Sequence, residues 1–198
     1  MLRRAQGRGL VGPGPVEAHL DNARGFVEAI GPAPEGLLLD LGSGGGIPGL
    51  ALAAGWPSTA WLFVDANRRS IDFLQEAVAE LGITDRVSVV EGRAEDLGHD
   101  PQFRGQVSMV VARSFGSPPV TAECAAGFLM RGGRLVVSEP PDQRSERWSA
   151  PGLTTLGQRL LGITATESGH HFALIEQVNA APDRFPRRTG VPSRRPLF

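Results

Sequence analysis

Hydrophobic positions along this chain switch between a helical spacing of three and four and short unbroken runs, and the switching defines its elements. Over Val16 to Ile30, the residues Leu20, Ala23, Val27 and Ile30 share one helical face, which Gly31-Pro32 ends. Leu37 to Leu41 reads as a strand. A glycine loop at 42 to 46, a helix from about Pro48 to Ala54 and a strand over Thr59 to Val64, closed by Asp65, follow it and complete a β-α-β unit. The next helix, Arg68 to Leu81, carries Ile71, Leu74, Val78 and Leu81 on one stripe and stops at Gly82. A short strand, Arg86 to Val90, comes after it.

The alternation continues with a strand at Val107 to Ala112, a helix at Val120 to Met130 behind Pro118-Pro119, and a strand at Arg134 to Ser138. Asp142 to Ala150 is polar and irregular. A short helix near Leu153 to Leu161 leads to Ile163 to Thr166, a Ser168-Gly169 turn and His171 to Val178, a pattern that predicts a hairpin. The fold class is therefore α/β and Rossmann-like: a mostly parallel seven-stranded sheet with an antiparallel C-terminal edge hairpin. In such sheets ligands bind beyond the C-terminal ends of the parallel strands.

With 198 residues, 41% hydrophobic and 21% charged, the chain is sized for one domain with a real core. We expect a flexible basic leader at 1–15, a central domain at 16–183 and a basic tail at 184–198. No apolar run is long enough to span a bilayer and no signal peptide is evident, so a soluble, cytoplasmic protein, monomeric and without a membrane partner, is expected. The single cysteine, Cys124, can form neither an internal disulfide nor a zinc site. It falls in an apolar helical segment without a basic neighbour, where a packing role is expected. His170 and His171 form no spaced pair with a carboxylate, and no metal is expected.

Net charge is −1, but its distribution is uneven. Every acid lies between Glu17 and Asp183, while Arg3, Arg4 and Arg8 begin the chain and Arg184, Arg187, Arg188, Arg194 and Arg195 end it. All the cations are arginines. Their planar forks suit phosphates and guanine edges, so the ends read either as solvated termini or as contacts for an anionic partner such as RNA.

The stretch Asp40-Leu-Gly42-Ser-Gly44-Gly-Gly46-Ile47-Pro-Gly49 follows a strand and opens a helix. Its glycines allow a sharp turn and close approach to a ligand. Gly44, Gly46 and Gly49 satisfy the dinucleotide pattern G-x-G-x-x-G, with Asp65 suitably downstream. Asp40 favours another cofactor, since a carboxylate there repels a pyrophosphate and attracts the sulfonium and ammonium groups of S-adenosyl-L-methionine. Asp65 is placed for both ribose hydroxyls, and Glu95 or a nearby backbone N–H, after the third strand, for the adenine.

These residues resemble a known family, the small-subunit (16S) ribosomal RNA guanine-N7 methyltransferases, or glucose-inhibited division protein B. The likeness runs from about Arg8 onward and includes the Asp40 to Gly49 loop, Phe73-Leu74, Glu80-Leu-Gly82, Gly92-Arg-Ala94-Glu95, Ala112-Arg113-Ser-Phe115 and the tail from Arg184 to Leu197. It also takes in His19-Leu-Asp-Asn22 before the first strand. The resemblance implies a class I methyltransferase fold, with Gly42, Ile47, Ala94, Glu95 and Arg113 at or beside S-adenosyl-L-methionine. It implies small-subunit ribosomal RNA as partner, and the charge of the tail then makes Arg187, Arg188, Arg194 and Arg195 the expected contacts. Two departures stand out: the chain lacks the family's usual N-terminal helices, and Glu139-Pro-Pro stands where the family has Lys-Gly.

Methyl transfer from a sulfonium is an in-line displacement that asks mainly for placement and exclusion of water. Guanine N7 carries an in-plane lone pair and needs no general base. Arg113, ending the fourth strand, is the expected catalytic residue, stacking on or hydrogen bonding to the guanine or the methionine carboxylate. Three other readings stay open on the residues: a small-molecule methyltransferase, a nicotinamide-dependent oxidoreductase, and a non-catalytic RNA-binding protein.

Overall fold

The computed structural model describes residues 1–141 and 145–198, so part of the irregular stretch expected at Asp142 to Ala150 lies outside the described residues. Seven strands, β1 (Leu37–Leu41), β2 (Ala60–Asp65), β3 (Val87–Glu91), β4 (Val107–Ala112), β5 (Leu129–Glu139), β6 (Gln158–Ala165) and β7 (His171–Gln177), form one sheet in the order β3-β2-β1-β4-β5-β7-β6. The pairs among β1 to β5 are parallel, and β7 runs antiparallel to both β5 and β6. The order reverses between β1 and β4, which opens a crevice at their C-terminal ends.

Strand alternation builds two cores. Leu39, Leu41, Leu62, Val64, Val110 and Ala112 face one side with α6 (Pro118–Ala126) and α7 (Ala150–Thr155). Leu38, Trp61, Phe63, Met109 and Val111 face the other, where α1 (Leu2–Gly7), α2 (Val16–Ile30), α3 (Gly49–Gly55) and α4 (Arg68–Glu80) cover them. Two short helices, α5 (Ala94–Leu97) and α8 (Val191–Arg194), lie after β3 and near the C-terminus. Among the described residues no helix is long and apolar enough to cross a membrane.

Two element boundaries differ from the sequence pattern. The helix expected to run to Leu161 stops at Thr155, because Gly157 (φ +75°) turns the chain and Gln158 onward joins β7 as β6. The helix expected to reach Met130 ends at Ala126, and Leu129 pairs with Val107 at the start of β5. In both places pairing with a distant strand outweighs a local helical spacing.

The ends of the chain are structured as well. In the segment expected to be a loose leader, α1 buries Ala5 completely, and Arg4 and Arg8 pair with Glu80 (2.6 Å) and Glu76 (2.8 Å) of α4 while lying over the Phe73 ring. The tail is fastened by Arg187. Its Nε and Nη2 donate to the Glu123 carboxylate of α6 at 2.9 and 2.6 Å, and its backbone N–H donates to the same group at 2.7 Å. Glu123 is fully buried, and Arg187 supplies the charge that balances it. Arg187→Met should destabilise the protein by roughly 3 kcal/mol, because a buried carboxylate is left uncompensated, and adding Glu123→Leu should recover most of the loss. Urea unfolding of the single and double variants measures both.

Candidate functional site

The site begins with the buried carboxylate at the end of β1. Asp40 is 1% exposed, and its Oδ2 accepts the Gly49 N–H at 3.0 Å, tying the first turn of α3 to the strand. A Cβ at Gly49 would sit 2.4 Å from that oxygen, so only glycine brings the backbone so close. Burial pushes the Asp40 carboxyl up to about 7; the Gly49 N–H pulls it down, Asp65 adds to the rise and Arg113 opposes it. Asp40 thus organises the loop from below and is not among the residues lining the two cavities beside it, whereas its position in the sequence suggested a direct attraction for a cofactor cation.

Above this tie the loop curves over the end of β2. Gly42 (φ +72°) and Gly44 (φ +52°) hold left-handed conformations, and the Gly44 N–H donates to Asp65 Oδ2 at 2.8 Å. Asp65 Oδ1 accepts from the Asn67 N–H at 2.8 Å. Each carboxylate oxygen retains a lone-pair direction for a further donor such as a ribose hydroxyl. Gly46 (φ +83°) packs against Leu50 and Leu74 behind the loop, and like Asp40 it lines neither cavity.

Two cavities flank the loop. The first, about 280 Å³, is bounded by Gly42, Asp65, Ala94, Glu95 and Phe115, with Ser193 of the tail on its wall. The second, about 350 Å³, lies between Gly42 to Gly45, Ile47 and Arg113 on one side and Leu10 to Pro13 and His19 on the other. Gly42 and Ser114 border both. Ser114 has φ +57°, the only left-handed non-glycine backbone among the described residues, a strained turn that directs Arg113 and Phe115 to opposite cavities.

Arg113 is partly buried. Its Nη2 donates to His19 Nδ1 at 2.6 Å, and His19 Nε2 lies 3.1 Å from the Gly12 carbonyl, an arrangement that fits the neutral imidazole with its proton on Nε2. Burial lowers the guanidinium pKa while Asp40 raises it, and the group stays cationic. Glu95 is nearly buried and is spoken for by the tail: its Oε1 accepts the Gly190 N–H at 2.8 Å, and Thr189 Oγ1 donates to the neighbouring Asp96 at 2.6 Å. Of the tail arginines expected at RNA, Arg188, Arg194 and Arg195 are exposed, whereas Arg187 is committed to Glu123. Glu139 also differs from its expected effect as an open acid, since Arg147 (2.5 Å) and Trp148 Nε1 (3.2 Å) hold its carboxylate inside the fold. Burial pushes the Cys124 thiol far up, in keeping with a packing residue at the first cavity's wall.

Residues 16–149 match the family model for rRNA small subunit methyltransferase G. The chain belongs to that family. Proteins named ribosomal RNA small subunit methyltransferase G are 31% identical in Alkaliphilus metalliredigens, over 82% of this chain and 70% of that protein. The one in Deinococcus radiodurans is 38% identical over 81% of this chain and 65% of that protein. The chain thus spans about two thirds of the length of the curated relatives it matches. Solved structures share the fold: an RNA methyltransferase from Salinibacter ruber in complex with S-adenosyl-L-homocysteine aligns with a TM-score of 0.59 at 15% identity, covering 86% of this chain and 97% of that one. Geranyl diphosphate C-methyltransferase from Streptomyces coelicolor aligns at 0.61 and 15% identity, over 80% and 79% of the two chains. As a member of the methyltransferase G family the chain is an S-adenosyl-L-methionine-dependent methyltransferase.

The donor set fits that cofactor. A carboxylate with free lone pairs, an apolar ring at Phe115 and a glycine backbone line adjoining cavities that together suit a nucleoside joined to an amino acid. Within this methyltransferase G family member, the family's loop motif, Asp65, the Ala94-Glu95 turn and Arg113 come together, as their order in the sequence implied. Sequence reasoning missed Leu10 to Pro13, His19, Ser114 and Ser193. His19 and Ser114 stand inside stretches that carried the resemblance, and the apolar Leu10-Val11 pair was the only local sign that the leader packs.

The raised Asp40 pKa sets a pH dependence. Between about pH 4 and 7 the folded chain keeps a proton that the unfolded chain has released, so stability falls as pH rises through that window and levels off above it. Asp40→Asn should remove that decline while keeping an acceptor for Gly49. Urea unfolding of both proteins at about pH 5 and pH 8 checks the sign.

Proposed function

We propose that this protein methylates N7 of a guanine in small-subunit ribosomal RNA, working in the cytoplasm, where that RNA is found. The observation that carries the reading is the pair of adjoining cavities at the β1 and β4 ends, one bordered by Asp65 and Glu95 and the other by the glycine loop and Arg113. When bound, S-adenosyl-L-methionine supplies a methyl group on a sulfonium sulfur, open to in-line displacement. Asp65 would hold the ribose through its free lone pairs, with Ala94 and Phe115 lining the same cavity for the base. The glycine loop and Ile47 would border the amino-acid portion, and Arg113 would pair with its carboxylate. His19 keeps the Arg113 fork fixed, which limits the freedom lost on binding.

Guanine N7 presents a lone pair in the ring plane, so the transfer needs no proton removal and no basic side chain beside the acceptor. What this chain contributes is alignment and dryness: the cavities are walled by Leu10 to Pro13 from one end of the chain and Ser193 from the other. Arg188, Arg194 and Arg195 are exposed on the tail that carries Ser193, and would give RNA phosphates a cationic approach.

The deciding experiment is transfer of a radiolabelled methyl group to small ribosomal subunits from cells lacking this activity, followed by mass mapping of the product. Label on a guanine at N7 supports the reading. Cofactor binding without label on the subunit overturns the acceptor. Asp65→Ala should weaken cofactor binding by about tenfold or more, the loss of charge-assisted hydrogen bonds to the ribose, and should lower stability by roughly 1–2 kcal/mol as the Gly44 and Asn67 N–H groups lose their acceptor. Calorimetric titration reads the affinity.

A further inference from the structure

A third cavity, about 380 Å³, adjoins the two already described and shares Arg113 and Ser114 with the amino-acid side of the site. Its other walls include Asn22 of α2, Ser138 and Glu139 of β5, and Arg147. Asn22 is 8% exposed, and its Nδ2 donates to Ser138 Oγ at 3.0 Å. Its Oδ1 is buried and has no hydrogen-bond partner among the described residues. Unpartnered buried acceptors are rare in folded proteins, and one beside a polar cavity marks a place where a ligand donor is missing. The neighbouring carboxylate of Glu139 is engaged by Arg147 and Trp148, so the amide oxygen is the neutral acceptor left for an incoming molecule.

We propose that this cavity is the acceptor-base pocket and that Asn22 selects guanine, its Oδ1 accepting a hydrogen bond from the N1–H and N2 amino edge of the base. Adenine presents a bare ring nitrogen at N1, an acceptor that would face the amide oxygen with no proton between them. Discrimination of this kind is large because the wrong base leaves the buried acceptor unpaired. With that edge against Asn22, the opposite edge of the purine, which carries N7, turns toward the wall formed by Arg113 and Ser114, the wall shared with the cofactor's amino-acid side. Asn22 is in this sense a specificity residue, and the inference rests on the guanine reading given above.

The test uses the full chain saturated with S-adenosyl-L-homocysteine, which fills the adenosine cavity, and titrates it with GMP and with AMP while following amide resonances by NMR. The wild type should bind GMP about tenfold more tightly than AMP. Asn22→Leu should bring the ratio close to one, with S-adenosyl-L-homocysteine affinity retained, and Asn22→Asp, which keeps an acceptor, should preserve it. Asn22→Ala serves as a second truncation should the leucine disturb packing. No GMP binding, or the same preference in wild type and truncated variants, overturns the proposal. Methyl transfer to the ribosomal subunit, measured on the same proteins, separates the two readings. Label in the wild type with a base preference indifferent to residue 22 removes Asn22 alone, whereas a preference that tracks residue 22 without label removes the ribosomal acceptor and supports the pocket.

Discussion

The bond between Asp40 Oδ2 and the Gly49 N–H sits under everything the site does. It pins the first turn of α3 to the end of β1, and the chain between the two anchors, residues 41 to 48, arches over the end of β2. The arch brings the Gly44 N–H onto Asp65 and lays bare backbone along two cavities. The tie has a cost, since a carboxylate 1% exposed beside a second acid resists ionisation, and its elevated pKa is the expression of that cost. An apolar residue at position 40 would pack on Phe63 without penalty but would leave the Gly49 N–H unpaired and the loop free to relax. The fold accepts some lost stability at this point in exchange for a loop of fixed shape, a common arrangement where a ligand is held.

The two chain ends close what the arch opens. Leu10 to Pro13 wall one cavity because Arg4 and Arg8 clamp α1 to α4, and Ser193 walls the other because Arg187 clamps the tail to Glu123. The clamps differ in kind. The leader's ion pairs are exposed and individually weak, and α1 is held mainly by burial of Ala5 and its neighbours. The tail's pair has a fully buried partner, so the tail cannot leave without stranding a charge. Arginines that read in the sequence as a single cationic set therefore divide into structural ones, Arg4, Arg8 and Arg187, and exposed ones, Arg188, Arg194 and Arg195.

The legible part of the structure was the part fixed by local pattern. Strands β1 to β4, helices α2 and α4 and the loop between β1 and α3 followed from spacing, glycine placement and the acid at the end of β2, and the family's motifs added the Ala94-Glu95 turn and Arg113. What escaped depends on partners far along the chain. The residues 153, 156, 160 and 161 carry leucines at a helical spacing, yet Gly157 and the pairing of Gln158 with Gln177 make the second half a strand. The packing of α1 depends on Glu76 and Glu80, and the role of Arg187 on Glu123, none of which a local window can reveal. Glu139 shows the same limit at the site itself. As a letter it replaces a cation with an anion, but its charge is balanced internally by Arg147, and the residue becomes a fixed wall.

That internal balance bears on how one scaffold serves different acceptors. The structures that share this fold are named for acceptors as unlike as geranyl diphosphate and RNA, so the shared sheet cannot choose among them. Choice has to come from residues outside the cofactor loop that reach the far side of Arg113, and in this chain these are contributed by α2 and the end of β5. Both elements are held rigidly, α2 by Phe26 packed edge-on to Phe172 and β5 by pairing on each side. A polar group on a rigid wall discriminates better than one on a loop, because the wrong acceptor cannot be accommodated by a small movement. On the proposed reading, the side chains that recognise the acceptor sit on the core of the fold, and exposed arginines would meet a large anionic partner through an attraction that is strong at a distance and indifferent to sequence.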